Sequence, residues 1–125
     1  MSTVLVVDDN VPMAHAIASL VQTVGCETEI AMGGKIAFDM IRAREFDLVV
    51  LDNHMPDMSG CDLLRLLGEK GVKAPPIVMC SASEEGREES MRLGAAAFVT
   101  KDRMIEDLLP MVEEHILGAA GEIQN

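Results

Sequence analysis

Four apolar runs in this chain each end on a side chain that can bind or accept a phosphoryl group. Val4–Val7 runs into Asp8 and Asp9, Leu48–Leu51 into Asp52, Ile77–Cys80 into Ser81, and Ala97–Thr100 into Lys101. As parallel strands of one sheet, these runs would bring three carboxylates, a hydroxyl and an ammonium to a single edge. Carboxylates gathered in one crevice repel, and two like charges ~4 Å apart cost about 4 kcal/mol at an effective dielectric near 20. One lysine cannot neutralise three acids, so either carboxyl pKa values rise or a divalent cation sits among them. Oxygen ligands with room left for water and phosphate suit Mg2+. A carboxylate can attack phosphorus as a nucleophile and become an aspartyl phosphate. Phosphoryl transfer asks for in-line positioning and charge neutralisation more than for covalent help, and Mg2+, Lys101 and Ser81 could each take one equatorial oxygen.

The elements that would carry these residues alternate along the chain. Thr3–Val7 has the β-branched content of a buried strand. Asn10 or Val11 leads into Pro12, a favoured first helical residue, and Met13, Ile17, Leu20, Val21 and Val24 follow at helical spacing until Gly25. A short strand over Glu27–Ala31, a helix after Gly33-Gly34 and a strand over Phe46–Leu51 come next. Met55–Gly60 predicts a loop, and Asp62–Glu69 a Leu-rich helix. Lys73–Pro76 links to the fourth strand. Ser83 predicts a cap on a helix over about Glu84–Leu93, which has little to bury and should be loosely held. The last strand, Ala97–Thr100, precedes a helix carrying Ile105, Leu108, Leu109, Val112 and Ile116. Pro110 lies inside that pattern. Either the helix bends there, which is the reading adopted, or its regular part starts near Asp107 with Pro110 in the first turn. The segment from Gly118 is expected to fray. Alternating strands and helices imply a parallel sheet covered on both faces, with ligands bound outside the carboxyl ends of the strands.

Composition narrows the function classes. The chain has 125 residues, suiting one domain, and 49% of them are hydrophobic. No run approaches the ~18 apolar residues of a membrane span. The N-terminus enters a strand-like run directly, so a signal peptide is not expected and the cytoplasm is the expected compartment. Ten basic against 21 acidic residues give a net charge of −11, and no basic patch suggests nucleic-acid binding. Cys26, Cys61 and Cys80 match neither a zinc site nor a redox pair.

The Asp8-Asp9 pair, the segment Asp52-x-x-Met55-Pro56-x-Met58-x-Gly60, Ser81-Ala82, and Phe98 three residues before Lys101 occur in that order. On these motifs the chain resembles the receiver domain of two-component response regulators, over residues 3–117 of a domain spanning 1–125 with a polar tail at 118–125. The resemblance implies a doubly wound, flavodoxin-like α/β fold, with five parallel strands in the order 2-1-3-4-5 and five helices. It implies that Asp52 accepts a phosphoryl group from the phosphohistidine of a sensor histidine kinase or a histidine phosphotransfer protein. Asp9 would hold Mg2+ directly, Asp8 through a water, and His54 through its backbone carbonyl. Lys101 would pair with Asp52 and then with the phosphoryl oxygens. Ser81 would move onto the phosphoryl group and Phe98 would turn inward behind it. The surface of the fourth helix, fifth strand and fifth helix would change for a downstream protein target.

Asp102 follows Lys101 where family members usually have Pro after a cis bond, so a trans bond is expected. The His54 side chain falls where the family places a residue that sets phosphoryl lifetime, and an imidazole there could titrate near neutral pH. The resemblance implies no enzyme activity beyond the chain's own phosphorylation and dephosphorylation. An alternative is a phosphorelay intermediate that passes its phosphoryl group to a histidine phosphotransfer protein. A haloacid dehalogenase-like phosphatase would need a second acid at Val11, and a flavin binder would avoid Asp8-Asp9-Asn10.

Overall fold

The apolar runs become strands β1 (Thr3–Val7), β2 (Glu27–Ala31), β3 (Leu48–Leu51), β4 (Ile77–Ser81) and β5 (Ala97–Thr100). In the computed structural model they form one parallel sheet in the order β2-β1-β3-β4-β5. The structure describes the backbone of residues 2–124 and the side chains of 2–116. The doubly wound fold expected from the sequence is therefore the fold observed.

Alternate strand residues face opposite sides of a sheet, and here both sides are buried. Leu5, Val7, Val49, Leu51 and Met79 pack with Ile41, Leu63 and Leu67 on one face. Val4, Val6, Leu48, Val50, Val78 and Val99 pack with Ile17, Val21, Leu108 and Val112 on the other. These residues come from α1 (Val11–Gln22), α2 (Gly34–Ala43), α3 (Gly60–Glu69) and α5 (Leu109–Gln124), and, for Leu108, from the turn just before α5; the short α4 (Arg87–Arg92) lies between β4 and β5.

Several local expectations need correction. β3 begins at Leu48, not Phe46, and α3 begins at Gly60, two residues before the expected start. A reciprocal cap fixes that start: the Asp62 amide donates to Ser59 Oγ at 3.0 Å, and the Ser59 amide donates to the Asp62 carboxylate at 3.1 Å. α4 does not begin at Glu84. Ser83 Oγ accepts only from the Glu85 amide, at 3.3 Å, in a turn. Gly86 then takes a left-handed conformation (φ 89°), and the helix starts after it.

Pro110 does not bend an α-helix interior. A 3₁₀ turn over Lys101–Arg103 and a π-helical turn over Met104–Leu108 precede α5, which leaves Pro110 in the first turn of the regular helix. The wider π turn accommodates a residue that lacks an N–H and whose ring would crowd the carbonyl four residues back. The backbone of α5 runs to Gln124. The expected polar tail, 118–125, lies outside the residues whose side chains are described, and Asn125 lies outside them altogether. No described peptide bond is cis, so the Lys101–Asp102 bond is trans.

Candidate functional site

Parallel registration decides which side chains meet. Val7 pairs with Leu51, and Ser81 with Thr100, so Asp8, Asp52, Ser81 and Lys101 leave the sheet at the same edge. Asp8, Asp52 and Ser81 are buried there, at 1%, 4% and 0% exposure. Asp9 is exposed at the mouth. Asp8, Asp9 and Asp52 each offer a carboxylate oxygen, and the three lie within 4.8 Å of one another.

Lys101 reaches into this cluster. Its Nζ lies 2.8 Å from Asp8 Oδ2 and 3.4 Å from Asp52 Oδ1. The shorter contact is with Asp8, whereas the resemblance pointed to Asp52. The other oxygen of Asp8 accepts the Asn10 amide at 2.9 Å, and Asn10 Oδ1 in turn accepts the Met13 amide and caps α1. Beyond the Lys101 ion pairs, Asp8 Oδ2 and Asp52 Oδ1 have no hydrogen-bond partner among the described residues, and neither does Ser81 Oγ.

The electrostatics follow from that crowding. Burial raises the Asp52 carboxyl above the ordinary range and the Asp8 charge raises it further; Lys101 and the His54 backbone N–H only partly offset them. Burial alone would lower the Lys101 ammonium, but its hydrogen bond to Asp8 and the charges of Asp52 and Asp8 outweigh it, so the ammonium titrates above its usual value. Cys80, under the same site, is pushed up to about 12, chiefly by burial, and so remains a thiol. Underpartnered buried oxygens in a hard-oxygen donor set fit a divalent cation such as Mg2+.

Phe98 is buried at 7% exposure, so its ring already lies inward. The Arg87 guanidinium sits over it, 4.7 Å from the ring centroid, and Arg87 Nη1 donates to the Phe98 carbonyl at 3.3 Å. His54 is half exposed, with Nε2 4.0 Å from the Glu85 carboxylate.

Two residues were not singled out from the sequence. Asn53 is buried at 7% exposure; its Oδ1 accepts the Cys61 amide at 3.1 Å and its Nδ2 faces the Glu85 carbonyl at 3.5 Å. The Asp57 carboxylate accepts the Gly34 and Lys35 amides at 3.2 and 3.0 Å, and the Lys35 bond foremost holds its pKa below the ordinary value. No motif could mark either residue, because their partners come from other elements. The one available hint was that Gly33-Gly34 leaves α2 without a capping side chain.

The family model for the response regulator receiver domain matches residues 4–113. A protein-glutamate methylesterase/protein-glutamine glutaminase of Treponema denticola is 36% identical over 103 residues, covering 78% of this chain and 28% of that protein. The protein of the same description from Archaeoglobus fulgidus is 33% identical over 116 residues, covering 89% of this chain and 33% of its own length. The chain thus spans about a third or less of these curated relatives. Among solved structures, the Francisella response regulator 1452 receiver domain aligns with a TM-score of 0.84 at 29% identity, covering 95% of this chain and 99% of that one. Response regulator TrrA of Thermotoga maritima, solved in complex with Mg2+–BeF, aligns with a TM-score of 0.83 at 26% identity, covering 93% and 100%.

Proposed function

The chain belongs to the response regulator receiver domain family, and from that membership we propose that it is a signalling module operated by phosphorylation of Asp52. The observation that carries this reading is the meeting of the Asp8, Asp9 and Asp52 oxygens within 4.8 Å, with the Lys101 ammonium between Asp8 and Asp52. In the proposed reaction, an Asp52 oxygen attacks the phosphorus of a kinase phosphohistidine. A P–O bond forms, the P–N bond breaks, and the leaving imidazole nitrogen recovers a proton. Asp9, Asp52, the His54 carbonyl and, through water, Asp8 would hold Mg2+, which when bound supplies charge neutralisation for the transferring group.

The chain's own residues do the rest. Lys101 holds Asp8 and Asp52 together and is positioned to take a phosphoryl oxygen in place of its Asp52 contact. Ser81 Oγ, buried and unpartnered, supplies a donor to the same group. Ser81 and Phe98 lie on the adjacent strands β4 and β5, so their rearrangement would reach the face formed by α4, β5 and α5. Met91 on α4 is exposed at 43% and Ile105, in the π turn leading into α5, at 68%, and that face is proposed as the one a downstream protein reads. The partners proposed are a histidine kinase or histidine phosphotransfer protein upstream and a protein target downstream. None of the described helices is long and apolar enough to cross a membrane; the cytoplasm is the proposed location.

The test is direct. Protein mixed with Mg2+ and acetyl phosphate should gain the mass of one phosphoryl group, and the gain should vanish in D52A or on chelation. An unchanged wild-type mass, or a gain that persists in D52A, overturns the proposal.

A further inference from the structure

The loop from Asn53 to Ser59 carries the His54 carbonyl and follows Asp52 directly. Its ends are tied, since the Gly60 amide donates to the Asn53 carbonyl at 2.9 Å. Its far side leans on α2. The Gly33 N-cap has no side chain to offer, and the first amides of α2, those of Gly34 and Lys35, donate instead to the Asp57 carboxylate. An anion at a helix N-terminus meets the positive end of the helix dipole. The packing is equally close. A Cβ on Gly34 would overlap the Met58 side chain, and one on Gly33 would sit 3.2 Å from both Asp57 oxygens. Two glycines on α2 and two consecutive loop residues therefore form one interlocked contact, more than 20 residues apart in the chain.

We propose that Asp57 is a positioning residue: by fastening the phosphoacceptor loop to α2, it holds the His54 carbonyl where it can serve the cation site. The inference rests on the reading that this loop contributes a Mg2+ ligand. Asp57 itself is held by the α2 amides and acts through the loop. Without it, the loop must be ordered at the moment of binding, and that entropy is subtracted from Mg2+ affinity.

Isothermal titration of Mg2+ into the full chain tests this. D57A should weaken Mg2+ binding at least several-fold. D57N, which keeps one acceptor oxygen, should fall between D57A and wild type. D39A, which removes an exposed acid on the outer side of α2, should bind like wild type. G34A displaces Met58 without changing charge and should weaken binding as D57A does; thermal melts in EDTA show that each variant is folded. Equal losses in D57A and D57N would reduce the effect to charge and overturn the proposal, as would D57A affinity equal to that of D39A. If G34A does not fold, the D57A, D57N and D39A comparison decides. Failure of the wild type to gain a phosphoryl group sinks the receiver reading instead. Normal phosphorylation of the wild type with unaltered Mg2+ affinity in D57A sinks only this inference.

Discussion

The surroundings of Asp52 oppose its ionisation. Burial and the Asp8 charge raise its pKa, and Lys101 only partly compensates. The native state therefore keeps its proton to higher pH than the unfolded chain does. Between the unfolded value and that raised value, stability attributable to Asp52 falls as pH rises, because the native state binds more protons there. Lys101 shows the same pH slope at higher pH, although here the charged form is the favoured one. Its raised pKa contributes stability that is full below the unfolded lysine value and disappears as pH climbs through the folded one. Asp52→Asn should consequently stabilise the Mg2+-free protein at neutral pH, because it removes the charge that burial and Asp8 penalise. Urea titrations at pH 7 and near pH 4 check it: the gain should shrink at the lower pH, and a destabilised D52N at pH 7 would contradict the electrostatic account. His54 lies beside this acid, half exposed and 4.0 Å from the Glu85 carboxylate. We propose that His54 assists the water that attacks a phosphorylated Asp52. His54→Ala should lengthen the phosphoryl lifetime several-fold, measured by the decay of the phosphorylated mass; an unchanged half-life would remove His54 from the reaction.

At the scale of elements, α4 is short because of one backbone conformation. Gly86 has φ 89°, and a Cβ there would lie 2.5 Å from Asn53 Nδ2. Gly86→Ala therefore meets both left-handed strain and a buried amide with its own partners. A loss of about 1–3 kcal/mol is expected from the strain alone, read by urea unfolding. Hydrogen exchange should also accelerate in 82–92 before it does elsewhere. A neutral G86A would mean that α4 can start earlier, as its sequence suggests. Strand ends were legible because apolar runs stop abruptly at Asp8, Asp52, Ser81 and Lys101, and a parallel sheet aligns those stops. The start of α4 was not, because Ser83 and Gly86 are both acceptable cap residues and only the approach of Asn53, 33 positions away, decides between them. The π turn before Pro110 was hidden for a related reason: a five-residue turn leaves no periodic mark, and the apolar spacing fits an α-helix equally well. Asp57 had no local signature at all, since its amide partners lie on α2.

For the molecule as a whole, charge is concentrated as well as large. The chain carries −11 overall, and part of that excess converges on the carboxyl edge of the sheet, where one ammonium faces three carboxylates. Two different salt responses follow. Monovalent salt screens the general repulsion, which weakens over a Debye length of about 10 Å at 0.1 M, so NaCl should raise the melting temperature gradually and without saturation over that range. Mg2+ at matched ionic strength should add a second, saturable gain, because a ligand that binds only the native state stabilises it by about 2.7 kcal/mol at one hundred times its dissociation constant. Asp9 separates the two responses. It is exposed, so its removal leaves the core intact, yet it stands at the mouth of the cluster. Asp9→Asn should keep the NaCl response and lose most of the Mg2+ increment in thermal melts. Should D9N retain the full increment, the cation would be held elsewhere on the acidic surface, and the sheet edge would owe its cluster of carboxylates to something other than Mg2+.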